Sequence, residues 1–92
     1  MIVYNVTFSV DQDIADEWLS WMKNTHVPEL LRSGIFENFK ILKVLSHDDD
    51  KTFSFAVQLY SRSMDKVEQY HHNAQHPFGD KVVGFPTLLE EV

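Results

Sequence analysis

The sequence predicts an α+β sandwich: one four-stranded antiparallel sheet with two helices on one of its faces. Three observations carry this. Residues 2–10 and 52–61 alternate apolar with small or polar side chains at a period of two, as half-buried strands do. Residues 13–24 instead repeat their apolar side chains at offsets of three and four, the period of an amphipathic helix. Along the chain the signals run strand, helix, strand, strand, helix, strand, which is two interleaved βαβ units.

In the first strand Ile2, Tyr4, Val6, Phe8 and Val10 form an apolar face that should meet the helices. Val3, Asn5, Thr7 and Ser9 form the other face, small and mildly polar, without the Lys and Glu that a solvated sheet face usually carries. The helix that follows places Ile14, Ala15, Trp18, Leu19, Trp21 and Met22 on one arc and Asp16, Glu17, Ser20, Lys23 and Asn24 on the other. Asp11 or Asp13 is expected to cap its start. Asp13, Asp16 and Glu17 put negative charge at the positive end of the helix dipole.

Pro28 removes a backbone donor and disfavours helical geometry at Val27, so an end or a kink is expected near residues 25–27. A short helix should then run from Pro28 to Arg32, closed by Gly34 in the left-handed conformation. His26 stands just before the break, on the rim of the apolar arc. It either caps loose backbone groups there or is re-aimed into a site.

Residues 35–46 predict a second strand of imperfect alternation. Phe39, Ile41 and Leu45 share a parity with Lys43, and Leu42 and Val44 take the other, which suggests a bulge or a strand apolar on both faces. The turn at 47–51 holds three consecutive aspartates but lacks the spaced ligands and glycine of a calcium loop, so a solvated turn is expected. In the third strand Phe53, Phe55, Val57 and Leu59 face inward, and Ser54, Ala56, Gln58 and Tyr60 face outward. Two strands thus share the same uncharged second face, as if both sides of the sheet were covered.

Ser63 should cap a second helix over 64–75, with Met64, Val67, Tyr70, His71 and Ala74 as its stripe. His72 and His76 have metal-ligand spacing, but Glu68 is the sole nearby third ligand. Favourable placement of cationic histidines at a helix C-terminus explains the cluster without a metal. After a turn at Gly79–Asp80, residues 81–91 predict the last strand. Pro86 cannot donate to a ladder, so this strand is an edge or is bulged.

Composition sets further bounds. At 92 residues the chain is one domain, 1–92. A domain of this size buries only about 60–65% of its unfolded surface and is marginal alone. Yet it carries seven Phe, three Tyr and two Trp, a supply that suits a core completed by oligomerisation. It has no cysteine, hence neither disulfides nor a thiolate zinc site. A formal net charge of −6 opposes binding to a nucleic-acid backbone. No apolar run approaches the ~18 residues of a membrane span, and the N-terminus lacks a basic leader, so a soluble cytoplasmic protein is expected.

The element order is that of a ferredoxin-like βαββαβ fold. Helices cover one face, and a second copy of the chain would cover the other, giving a dimeric α+β barrel with an enclosed cavity. The alternative is a monomer with one wet sheet face.

The opening MIVYNVTFSV, the run EWLSWMKNTHVPELLRSGIF, the strand FAVQLYSRSM and the ending FGDKVVGFPTLLEEV resemble a family of short bacterial proteins labelled a domain of unknown function. The likeness covers almost the whole chain, and Trp18, Trp21 and His26 lie in its most distinctive segment. Members resemble the dimeric α+β barrel superfamily, which includes antibiotic-biosynthesis-type monooxygenases. The resemblance implies a homodimer and a ligand-sized cavity, with no cofactor.

Three readings of function follow. The first is a binding module that holds a small, largely apolar or aromatic molecule between sheet and helices, with Asn5, Thr7, Ser54, Gln58, Tyr60 and His26 as polar contacts. The second is a cofactor-independent monooxygenase- or isomerase-like enzyme. There His26 would be the general base, and Trp18, Trp21 and Tyr4 would position an aromatic substrate. The third is a structural dimer whose aromatics fill the core and which binds a protein partner.

Overall fold

β1 (Ile2–Asp11) lies between β3 (Thr52–Ser61) and β4 (Val82–Glu90), and β2 (Asn38–Val44) flanks β3. The order β2-β3-β1-β4, antiparallel throughout, is the predicted ferredoxin-like sheet. In the computed structural model the described residues are 1–46, 51–73 and 78–92, of which 71–73 are described by their backbone alone. The registers run without interruption: Tyr4 pairs with Leu59 and Leu88, and Phe8 with Phe55 and Gly84. β2 keeps its register with β3 from Asn38 to Val44, so the bulge suggested by its broken alternation is absent there. The strand is also shorter than the expected 35–46. Lys43 keeps the inward parity of Phe39 and Ile41, with its ammonium over the Phe53 ring at 4.2 Å, closing the end of the core.

The first helical layer differs from expectation at Pro28. α1 (Ala15–Trp21) and α2 (Val27–Arg32) are joined without a break by a π-helical turn, Met22–His26. Trp21, Met22, His26 and Val27 all have right-handed helical dihedrals. The Val27 N–H donates five residues back, to the Met22 carbonyl. The wider turn relaxes the hydrogen-bond register just where proline withdraws its donor. It also keeps the stripe in line. Met22 and Val27, both buried, are five residues apart, and at about 100° per residue an α-helix would set them roughly 140° apart.

Elsewhere the layer is as expected: Ala15, Trp18 and Met22 are buried, and Asp16, Glu17, Ser20, Lys23 and Asn24 are exposed. Gly34 ends the layer at φ 81°. The start is different. A 3₁₀ turn, Gln12–Ile14, precedes α1, and neither Asp11 nor Asp13 supplies a side-chain cap. Asp11 ends β1 instead, and Asp13 stands 3.9 Å from Lys81.

Ser63 caps α3 (Met64–Asn73) as predicted: its Oγ accepts from the Lys66 N–H at 3.4 Å. Residues 74 and 75 of the expected helix lie outside the described residues, as do the aspartates of the turn after β2. Val67 is fully buried and Tyr70 partly so. Between helices and sheet the space is filled by Trp18, Phe36, Met22, Val10, Val27 and Val67.

β4 is an edge strand, as Pro86 required, and its hydrogen-bond phase shows how proline is tolerated. The Glu91 N–H donates to the Met1 carbonyl, so Leu89, Thr87, Phe85 and Val83 also turn their peptide groups toward β1. Pro86, opposite Val6, sits in a non-hydrogen-bonded pair, and its missing N–H belongs to the outer edge. Gly84, two residues earlier, is needed for closeness: a Cβ there would stand 2.9 Å from Phe8 Cε1 and 3.1 Å from Val6 Cγ1.

Pro86 thus blanks one donor in the middle of the free edge. Restoring it with Pro86→Thr should leave thermal stability within about 1 kcal/mol but bring on strand-edge aggregation at roughly severalfold lower concentration. Static light scattering of a concentration series checks this, and an unchanged onset would show that proline does not guard this edge.

Candidate functional site

The structure separates the sequence-predicted site residues into two groups with the sheet between them. Tyr4, Trp18, Trp21 and His26 lie on the helix side, whereas Asn5, Thr7, Ser54, Gln58 and Tyr60 lie on the opposite face. Among the described residues the two groups therefore do not line one cavity between sheet and helices. The reason is strand parity: Tyr4 and Asn5 are neighbours in sequence and point through opposite sides of the pleat.

On the helix side the π-helical turn creates the local geometry. Residues five apart come into line, and the His26 ring stacks on Trp21 with centroids 4.6 Å apart at 14°. This aims His26 Nε2 at the Tyr70 hydroxyl, 3.3 Å away. Tyr70 is edge-on to Tyr4 and to Phe36, each at 5.3 Å, and Phe78 meets Trp21 edge-on at 5.6 Å. Burial raises the Tyr70 pKa from 10.0 to about 12, and the neighbouring Tyr4 adds to the rise. Burial also raises that of Tyr4. Both phenols therefore stay protonated through the physiological range. Tyr70 is the partner of His26 that sequence reasoning missed, although its place in the α3 stripe marked it as inward-facing.

Trp18 is not part of that cluster. It is fully buried, with Phe8 at 5.1 Å and Phe55 at 5.2 Å, and its Nε1–H has no acceptor among the described residues. It is a core side chain rather than the wall of an open site.

The opposite face reads as four rows across the sheet, β4 to β2. They are Leu89–Val3–Tyr60–Asn38, Thr87–Asn5–Gln58–Lys40, Phe85–Thr7–Ala56–Leu42 and Val83–Ser9–Ser54–Val44. Lys40 is the one charged side chain in these four rows, and Asp11, opposite Thr52, stands on the same face just past them, in a chain of net charge −6. Leu42, Val83, Phe85 and Leu89 are 46%, 48%, 65% and 44% exposed. The polar groups pair along the face: Tyr60 donates to Gln58 Oε1 at 3.0 Å, and Asn5 Nδ2 to Thr7 Oγ1 at 3.4 Å. Lys40 lies over the Tyr60 ring at 5.9 Å. Beside it is a concavity of about 210 Å³ lined by Met1, Glu37, Asn38, Lys40, Tyr60 and Glu91. Lys40, Leu42 and Phe85 were not singled out from the sequence: the register of β2 on β3 brings Lys40 and Leu42 to this face, and that of β4 on β1 brings Phe85.

Among the described residues no three His, Cys, Asp or Glu side chains are grouped as metal ligands, and no helix is long and apolar enough to cross a membrane. The predicted His72–His76 pair lies outside the described side chains.

A comparison with curated proteins gives no match. A family model described as "Domain of unknown function (DUF4286)" matches residues 1–92, the whole of the described fold and both groups of residues. The chain belongs to that family.

Proposed function

We propose that the chain is a small-molecule-binding protein that works as a face-to-face homodimer, its ligand held between the two open sheet faces. The observation that carries this reading is the character of that face: apolar and neutral rows broken by one lysine, in a chain 24% charged. A solvated face would normally collect charge. A near-neutral face, by contrast, can meet its own copy without like-charge repulsion, as a two-fold interface requires.

Size is compatible. Four strands spaced about 4.8 Å apart and roughly 25 Å long present about 500 Å² in projection, so a pair buries about 1,000 Å², the lower bound for a biological interface. The apolar rows would form the seal, and the Thr87–Asn5–Gln58–Lys40 row would supply the polar contacts that orient a ligand.

Light scattering should return twice the 10.8 kDa chain mass at micromolar concentration. Phe85, the most exposed large apolar side chain of the four rows, is the place to break it. Phe85→Glu would bury an unpaired carboxylate and should raise the dissociation constant roughly a hundredfold or more, with helix content unchanged. A wild-type monomer, or a Phe85→Glu variant that stays dimeric, would overturn the reading.

In this reading His26 has a mechanical role. Through Trp21 and Tyr70 it ties the π-helical turn to α3, on the side of the sheet away from the ligand.

A further inference from the structure

Resting on the dimer reading, we infer that the two-fold axis of the pair runs along the strands. Each row of one copy then lies on the same row of the other, and β4 of each copy covers β2 of its partner.

The bulk of the open face stands at its two margins. The middle strands carry Asn5, Thr7, Ser9, Ser54, Ala56 and Gln58 over three of the four rows, all small or neutral. The large exposed apolar side chains lie outside them, Val83, Phe85 and Leu89 on β4 and Leu42 on β2. Two such faces touch first at their margins, so what the margins set against each other decides how they stack.

A two-fold axis between the faces can run along the strands or across them. Along the strands, it exchanges β4 with β2 and keeps every row on itself. Phe85 then meets the partner's Leu42, Val83 the partner's Val44, and Thr87 the partner's Lys40. Across the strands, it exchanges the first row with the fourth and the second with the third. Phe85 then lies on the partner's Thr87, and Leu42 on the partner's Lys40. The first arrangement sets apolar on apolar and polar on polar. The second shuts polar groups against apolar surface, where they lose their hydrogen bonds with water. Only Leu89 prefers the second, since it would meet the partner's Val83 rather than the partner's Asn38. A near-perpendicular crossing, the other common way for sheets to stack, lays rows along strands and sets each apolar row against all four.

The axis along the strands also completes the polar row from both copies, with Asn5 over the partner's Gln58. A ligand held there takes its polar contacts from two chains, and neither chain alone has the whole site.

The chain has no cysteine, so introduced thiols are the only ones. Phe85→Cys, Leu42→Cys and Thr87→Cys are made singly, mixed in pairs and treated with a short thiol-to-thiol linker. Sheets stacked about 10 Å apart are too distant for a direct disulfide but within reach of such a linker. Light scattering confirms the oligomeric state before each treatment, and a denaturing gel reads the linked product. The expected result is severalfold more linked dimer from Phe85→Cys with Leu42→Cys than from either variant alone or from Phe85→Cys with Thr87→Cys.

Preferential linking of Phe85→Cys to Thr87→Cys would overturn this axis and leave the dimer standing. A dimer in which neither pair links would do the same. A wild-type monomer would overturn the inference together with the reading beneath it. If the wild type is a dimer and the Phe85→Cys variant is not, the smaller exchanges Val83→Cys and Val44→Cys decide: linking between them is expected, and a dimer without it overturns the axis.

Discussion

Trp18→Ala should strip this domain of a large share of its stability, whereas Trp18→Phe should leave it nearly intact. Truncating a fully buried tryptophan costs about 3–5 kcal/mol, from lost burial and from the cavity left behind. A chain of this size has roughly 5–14 kcal/mol in total, so the alanine variant loses from about a fifth to all of it. Phenylalanine keeps a ring against Phe8 and Phe55 and removes the Nε1–H, which has no acceptor among the described residues. Relief of that unsatisfied donor, worth about 1–3 kcal/mol, opposes the loss of ring volume. The net change should stay within about 1.5 kcal/mol. Denaturant unfolding at one fixed protein concentration measures both variants. If phenylalanine proves as damaging as alanine, the indole N–H has a partner after all.

The second large effect is alkaline. Tyr70 has its pKa raised from 10.0 to about 12 by burial, with Tyr4 adding to it. Below pH 10 the phenol is protonated in folded and unfolded chains alike, and its linkage leaves stability unchanged. Between pH 10 and pH 12 the unfolded chain releases this proton and the folded one holds it. The folded state then binds more protons, so stability falls as pH rises. The fall amounts to roughly 2–3 kcal/mol once pH reaches the folded value, and it ceases above that. Tyr4, shifted in the same direction, steepens it. Urea midpoints across this range should drop for the wild type and drop less for Tyr70→Phe. Identical slopes would mean that Tyr70 is wetted and titrates normally.

Much of the architecture was legible because a strand or helix shows its buried side directly in its period. The even positions of β1 and the arc of Trp18 and Met22 are buried or half-buried as read. The π-helical turn was not legible. Pro28 announces a disturbance, but whether the chain breaks or widens depends on what the widened turn gains. Here that gain is a stack of His26 on Trp21 and a contact with Tyr70, forty-four residues away. No local pattern encodes it. The site was half legible. Parity separates Asn5, Thr7, Ser54, Gln58 and Tyr60 from the helices, and so from His26. Joining them into one cavity went against information the sequence already held. Lys40 emerges only when the register of β2 on β3 is known, because its strand alternates poorly.

The free edges of the sheet carry a last consequence. β2, short and bearing Lys40 and Lys43, and β4, interrupted by Pro86, both discourage a further strand from zippering on. Lateral growth into a ribbon or filament is thereby disfavoured at each margin. Association through the broad face, as proposed above, has a different arithmetic: each copy would set its apolar rows against its mate's rather than offer them to a third chain. Pairing of that kind would be self-limiting: added protein would make more closed stacks of two, not longer ones.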